Sequence, residues 1–151
     1  MVQELIDISI SDLMTDVNRV ACVDPDNSLE HALLVLVKSG YSAIPVLSRN
    51  GMVQGTISKT LILDSILGLE RIEFEHLADR KVKDSMNTDV TTIQLGESFV
   101  RALELAVNAP FLCVEDDAGR FVGILTRSAM LQRIHRYVKM EMHATTRPSS
   151  H

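Results

Sequence analysis

The stretch "SGYSAIPVLSRNGMVQGTISK", Ser39 to Lys59, is matched by "APFLCVEDDAGRFVGILTR", Ala109 to Arg127. Gly51 answers to Gly119 and Gly55 to Gly123, each 68 residues on, and the same step pairs Val46 with Val114, Ser58 with Thr126 and Lys59 with Arg127. Two glycines held in one register mark a duplicated unit. In each copy two short apolar runs, "SAIPVL" and "VQGTIS", then "FLCVE" and "FVGILT", flank the turn signals "SRNG" and "DDAG", which reads as two paired strands.

Upstream, "DNSLEHALLVLVKSG" faces "GESFVRALELAVNA" at a step of 70, setting Leu29, Ala32, Leu33, Leu36 and Val37 against Phe99, Ala102, Leu103, Ala106 and Val107. That spacing is helical. Asp26 to Ser28 and Glu97 to Ser98 supply capping chemistry, and Gly40 ends the first helix. Still earlier, "SDLMTD" parallels "KDSMNTD", Asp12 with Asp84 and Met14 with Met86. A further strand is expected near Val20 to Val23 and near Val90 to Ile93, and the runs "KTLILDSILGL" and "RSAMLQRIHRYVKM" close the units as helices. Each unit is therefore β-α-β-β-α, and the fold class is α/β (α+β). Repeat one is placed at 10–68, a linker helix at 69–81 and repeat two at 82–138. The remainder, 139–151, ends in "HATTRPSSH", lacks apolar periodicity and is expected to be disordered.

A unit of about 60 residues buries too little surface to stand alone. The copies are expected to pack sheet to sheet, leaving a cleft between them. Leu34 and Val35 make the first repeat helix apolar nearly all round, so it has to be covered twice. A homodimer meets that need; a wholly buried helix in a monomer is the other arrangement.

With 46% hydrophobic and 23% charged residues the chain can bury a core, and its net charge of -5 with no basic run argues against nucleic acid and against an anionic membrane surface. Glu4, Asp7 and Asp12 interrupt the N-terminal segment, so neither a signal sequence nor a membrane span is read there, and a cytoplasmic location is expected. Cys22 and Cys113 are the only cysteines, each alone in an apolar stretch without CxxC spacing, as buried reduced thiols would be. His31, His76, His135, His143 and His151 show no metal-binding spacing, and no GxSxG, P-loop or GxGxxG occurs. No enzyme, metal or cofactor is read from these residues.

The openings "ISDLMTDV" and "VKDSMNTDV", the run "GYSAIPVL" and the strand ends "GTIS" and "GILT" resemble the cystathionine β-synthase (CBS) repeat, found in tandem as the Bateman module. The likeness covers about Ile10 to Tyr137. It implies two CBS repeats packed as one module, an adenosine-containing ligand in the cleft between them, and regulation of a partner. The run "NSLEHALLVLVKSGYSAIPVL" with the linker "GLERIEFEHL" further resembles the stand-alone cyclic di-AMP-binding CBS proteins of Gram-positive bacteria, the DarB/CbpB type. With no catalytic, transport or DNA-binding unit read beside the repeats, the expectation is a chain that acts by binding a ligand and another protein. The resemblance suggests a (p)ppGpp synthetase/hydrolase as one target; the acidic "LERIEFE" is a candidate contact, although in isolation that stretch reads first as a solvated linker helix.

In many CBS modules holding AMP or ATP, an Asp three residues after the strand-end Ser/Thr clamps the ribose diol. Leu61 and Ala129 occupy those positions here. A 3',5'-linked cyclic dinucleotide offers no diol and needs no such carboxylate. Three segments are then candidates for the ligand site. Thr126, Arg127 and Ser128 bring a hydroxyl, a guanidinium and backbone N–H groups to a helix N-terminus, suited to phosphate, though "TRS" alone is also an ordinary capped helix. Arg19, Val20 and Ala21 enter the first strand, with Ala21 on the side of Arg19 and leaving room for a base; Arg19 by itself also reads as a surface charge. Tyr41, Ser42, Ala43, Ile44 and Pro45 offer a ring to stack on adenine and backbone groups to read its edge; a core tyrosine is the other reading of Tyr41. An adenine mononucleotide sensor and a ligand-free dimerisation scaffold remain the alternatives to a cyclic di-AMP receptor, and Lys59 marks a pseudo-equivalent second cleft.

Overall fold

The duplication is visible in the two hairpins of the computed structural model, which describes residues 2–146. Strands β2 (Ala43–Leu47) and β3 (Val53–Ser58) pair antiparallel, as do β5 (Phe111–Glu115) and β6 (Phe121–Thr126). Ala43 faces Ser58 and Phe111 faces Thr126, and both ladders break register at the same place, after Val46 and after Val114. Gly51 (φ 81°) and Gly119 (φ 80°) take the left-handed conformation that both turns require. Helices α3 (Leu29–Ser39) and α7 (Phe99–Ala106) are capped by Ser28 and Ser98, whose hydroxyls accept from His31 N–H at 3.0 Å and Arg101 N–H at 3.1 Å. Gly40, at φ 78°, closes α3. The helices α4 (Lys59–Ile66) and α8 (Arg127–Thr146) follow directly from β3 and β6.

The sequence repeat is nevertheless not the packing unit. The opening strand β1 (Thr15–Asp16) pairs with β6 of the second copy, while Asn87, in the opening of the second copy, bridges to Thr56 on β3 of the first. Each opening segment is thus exchanged onto the other sheet. Glycine is required where they meet: a Cβ on Gly55 or Gly123 would collide with the backbone oxygen of Asn87 or Thr15. The cores follow the exchange. Ile10, from α2 (Ile10–Leu13), is buried with Phe99, Leu112, Leu125 and Met130, and Leu5 of α1 (Val2–Ile6) packs on the same cluster. Val82, from α6 (Val82–Ser85), is buried with Leu29, Leu36, Ile44, Ile57 and Ile62. Apolar burial on each side is the main stabilising term. A third cluster, Cys113, Phe121 and Ile124 with Val17, Val20, Cys22, Leu47, Val53, Val90 and Phe111, fills the space between the two sheets.

Three expectations need correction. Val20 to Val23 is not a strand: Val17–Arg19 forms a 3-10 turn, and pairing with β2 reduces to one parallel bridge, Val23 to Val46. In the second copy β4 (Thr92–Gln94) pairs fully with β5, and beyond it Cys113 N–H donates to Thr91 C=O at 3.0 Å. The residue at the Cys113 position in the first copy is Pro45, which has no N–H to give. The ladder stops there, and the alternation that put Ala21 on the side of Arg19 does not apply.

The linker is helical only in α5 (His76–Asp79). Before it, Gly68 N–H donates to Arg71 C=O (2.8 Å) and Glu73 N–H to Ile66 C=O (2.7 Å), closing a loop with the backbone groups a helix would use. The third correction concerns 139–146, which continues α8: the run contains good helix formers and no Gly or Pro before Pro148. Residues 147–151 lie outside the described ones. Among the described residues no helix is long and apolar enough to cross a membrane.

Candidate functional site

Because β1 lies on the second sheet and Val23 on the first, residues 17–22 cross from one sheet to the other. This crossing carries the first candidate segment. Val20 packs into the cluster between the sheets and Ala21 against the first core. Arg19, at the end of the 3-10 turn, is exposed and has no hydrogen-bond or ionic partner among the described residues. Its guanidinium is available at the mouth of the crossing.

The second segment begins where α3 ends. Tyr41 is 39% exposed, which rules out the core-tyrosine reading, and Ser42 is exposed beside it. Ile44 is 1% exposed and its side chain belongs to the first core; Pro45 is also buried. Lys59 N–H donates to Ser42 C=O at 3.3 Å. In an antiparallel ladder that bond makes Ala43 and Ser58 a wide pair, with the Ala43 N–H and C=O turned away from β3. They face the edge where, for want of an N–H on Pro45, the crossing segment runs unpaired until Val23. An open, polar backbone edge next to a small side chain is what a purine edge can be read by.

The third segment is partly committed to the fold. The Thr126 hydroxyl accepts from Ala129 N–H at 3.0 Å, capping α8 and leaving its own proton to donate. Arg127 N–H is taken by Pro110 C=O (2.9 Å), so of the first-turn N–H groups only that of Ser128 is left without a partner among the described residues. The Arg127 Nε donates to Ala106 C=O at 2.8 Å, at the C-terminal end of α7, where a cation is favoured. The side chain that the sequence offered to phosphate therefore also closes a neighbouring helix. Arg127 and Ser128 line an open concavity of about 540 Å³ with Pro110, Leu131, Gln132 and His135, which none of the residues of the other two segments borders. The structure brings the first two segments together along one sheet edge and places the third at the end of the facing sheet.

One feature had no signal in the sequence. Ala129, the position where a diol-clamping carboxylate would stand, opens onto a concavity of about 500 Å³ that Asp7, Ser9, Asp12 and Arg133 also line. The carboxylates come from the exchanged opening segment, far away in the chain.

The CBS domain family matches residues 10–68 and 82–136. The chain belongs to that family. It is 38% identical over 136 residues, 90% of its length and 92% of the other, to cyclic di-AMP receptor B of Bacillus subtilis strain 168. It superposes on a CBS domain-containing protein of Bacillus anthracis with a TM-score of 0.85 and 49% identity, covering 90% of this chain and 99% of that one. The CbpB protein of Listeria monocytogenes in complex with c-di-AMP gives a TM-score of 0.80 and 46% identity, covering 87% and 98%. The duplicated units are thus CBS repeats, and the cluster between the sheets is the seam of the CBS pair.

Proposed function

We propose that this CBS protein is a cyclic di-AMP receptor that holds the nucleotide between its repeats and controls association with a target protein. The observation that carries the reading is the 38% identity, over 90% of the chain, to the cyclic di-AMP receptor B of Bacillus subtilis. The local chemistry agrees with it. One adenine lies against the Ala43 edge with Tyr41 beside it, and the phosphates lie between Arg19 and the Thr126–Ser128 turn. Arg127 reaches them with its terminal nitrogens while Nε stays on Ala106. A charge-assisted contact of this kind contributes about 1.5–3 kcal/mol.

The receptor acts as a cytoplasmic homodimer. Leu34 (53% exposed) and Val37 (61%) on α3, Leu63 on α4 and Leu67 just after it, and Val107 (73%) just after α7 leave apolar surface uncovered in the single chain, and burial against a second copy is its physical remedy. Val37, which shares the helical spacing of buried Leu29, Ala32 and Leu36, is part of this exposed surface. The target, with a (p)ppGpp synthetase/hydrolase as the first candidate, binds the ligand-free form, and linkage requires the nucleotide to weaken that complex by the factor by which the complex weakens nucleotide binding.

Calorimetric titration with cyclic di-AMP, AMP, ATP and cyclic di-GMP at one salt concentration tests the reading. Binding of cyclic di-AMP alone is expected. The adenine mononucleotide sensor rests on the carboxylates of Asp7 and Asp12 beside Ala129; tighter binding of AMP or ATP, lost in Asp12→Asn, would replace the receptor by that sensor.

A further inference from the structure

The fold repeats its cleft, and the two copies are chemically opposed. Each residue of the proposed site has a counterpart in the other repeat, 68 residues away around the hairpins, where the ladder registers agree, and 70 away in the segment before them. Where the first copy has Ala43, the second has Phe111, paired with Thr126 as Ala43 is paired with Ser58. Phe111, half-buried, packs on the cluster between the sheets, as do Val90 and its counterpart Val20. Where Pro45 leaves the first ladder open, Cys113 N–H closes the second onto Thr91 at 3.0 Å. Where the first copy has Arg19, the second has Asp89, exposed and of the wrong sign for a phosphate. Exposed Tyr41 is answered by Ala109, only 6% exposed.

We infer that the second cleft is sealed, with Phe111 as the plug that confines the chain to one nucleotide, an inference that rests on the cyclic di-AMP reading for the identity of that nucleotide. The ring occupies the volume that the methyl group of Ala43 leaves to a base, and the bond from Cys113 N–H to Thr91 C=O ties the neighbouring segment to the sheet where the first copy leaves it loose. Asp89 turns away what charge attraction Lys59 would offer. Phe111 is a specificity-determining residue in this sense: it decides which of two copies of one architecture takes ligand.

Amide NMR on the full chain, titrated with cyclic di-AMP, tests this alongside two variants. In the wild type the amides of 19–21 and 41–44 are expected to shift, with those of Asp89, Val90, Thr91 and Phe111 unmoved, and saturation at one ligand per chain. Ala43→Phe, which copies the plug into the first cleft, is expected to weaken binding at least tenfold without lowering the melting temperature. Phe111→Ala lowers the melting temperature by emptying a filled space. Saturation at two per chain, or shifts at Asp89 to Thr91 matching those of the first cleft, overturns the plug. If no amide moves with cyclic di-AMP or AMP, the receptor reading fails by itself. The melting temperatures then decide on the plug, which a rise for Phe111→Ala or a fall for Ala43→Phe overturns.

Discussion

Pro45 and Cys113 occupy the same place in two copies of one fold, and the two repeats diverge from that point. Cys113 donates to Thr91, so the second sheet continues past its regular strand. Pro45 cannot donate, and the first sheet ends at the bridge of Val23. A single missing N–H thus converts a structural edge into an open one, and the other differences at that edge point the same way: alanine for phenylalanine, arginine for aspartate. In a duplicated fold a binding site need not be added to one copy. It is enough to leave one copy unfinished while the other is filled.

The largest test concerns what the copies share. Leu29 and Phe99 hold equivalent positions at the start of α3 and α7, and both are fully buried. Phe99→Ala is expected to cost about 3–5 kcal/mol in urea denaturation and Leu29→Ala about 2–5, the ring leaving the larger cavity. If one of these losses leaves stability nearly untouched, the two cores do not fold as one unit through the exchanged segments.

Next in size is the pair Arg127 and Lys59. Arg127→Ala is expected to weaken cyclic di-AMP binding by about 1.5–3 kcal/mol and, because its Nε closes the end of α7, to lower stability by about 1–2 kcal/mol. Lys59→Ala at the sealed cleft should leave affinity unchanged. Calorimetry and thermal melting on both variants separate the two roles of Arg127, and equal losses of affinity would erase the asymmetry between the clefts.

Pro45→Ala sharpens the same comparison more gently. It restores the donor at that position, letting the crossing segment pair with β2 as Thr91 pairs with β5. Weaker nucleotide binding by roughly tenfold, about 1.4 kcal/mol, with an unchanged or higher melting temperature is expected. Unaltered affinity would show that the open edge is not what reads the base.

How much of this was legible beforehand follows from the range of each signal. The register at 68 residues, the turns at Gly51 and Gly119, and the caps Ser28, Ser98 and Thr126 are local, and the sequence carried them. The exchange of opening segments is not local. Asp12 and Met14 look like the start of repeat one, yet their neighbours Ile10 and Leu13 pack in the core of repeat two. The failed strand at Val20 to Val23 was hidden for a similar reason: its own residues suit a strand, and the obstacle is a proline 22 residues beyond Val23 on the partner. Arg127 carried a phosphate-binding pattern but no sign of its bond to Ala106, which depends on where α7 ends.

The smallest effect is at alkaline pH and again contrasts the copies. Burial pushes the Cys113 thiol up to about 12 and the Cys22 thiol up to about 11, from an ordinary value of 9.0. Both therefore stay protonated when the unfolded chain begins to lose those protons. Above about pH 9 the folded state binds more protons than the unfolded one, so stability is whole below that value and declines as pH rises toward 11 to 12. Two outcomes are expected: melting temperatures that fall from pH 9 upward, less steeply in Cys113→Ser once its own cavity and polarity cost is subtracted at pH 7, and slow alkylation of both thiols in the folded protein at pH 8, Cys113 the slower. Cys113 lies on β5 of the plugged copy and Cys22 on the crossing segment of the open one, both packed in the cluster between the sheets. Nucleotide should accordingly slow the alkylation of Cys22 and leave Cys113 as it was; protection of Cys113 instead would place the ligand in the wrong cleft.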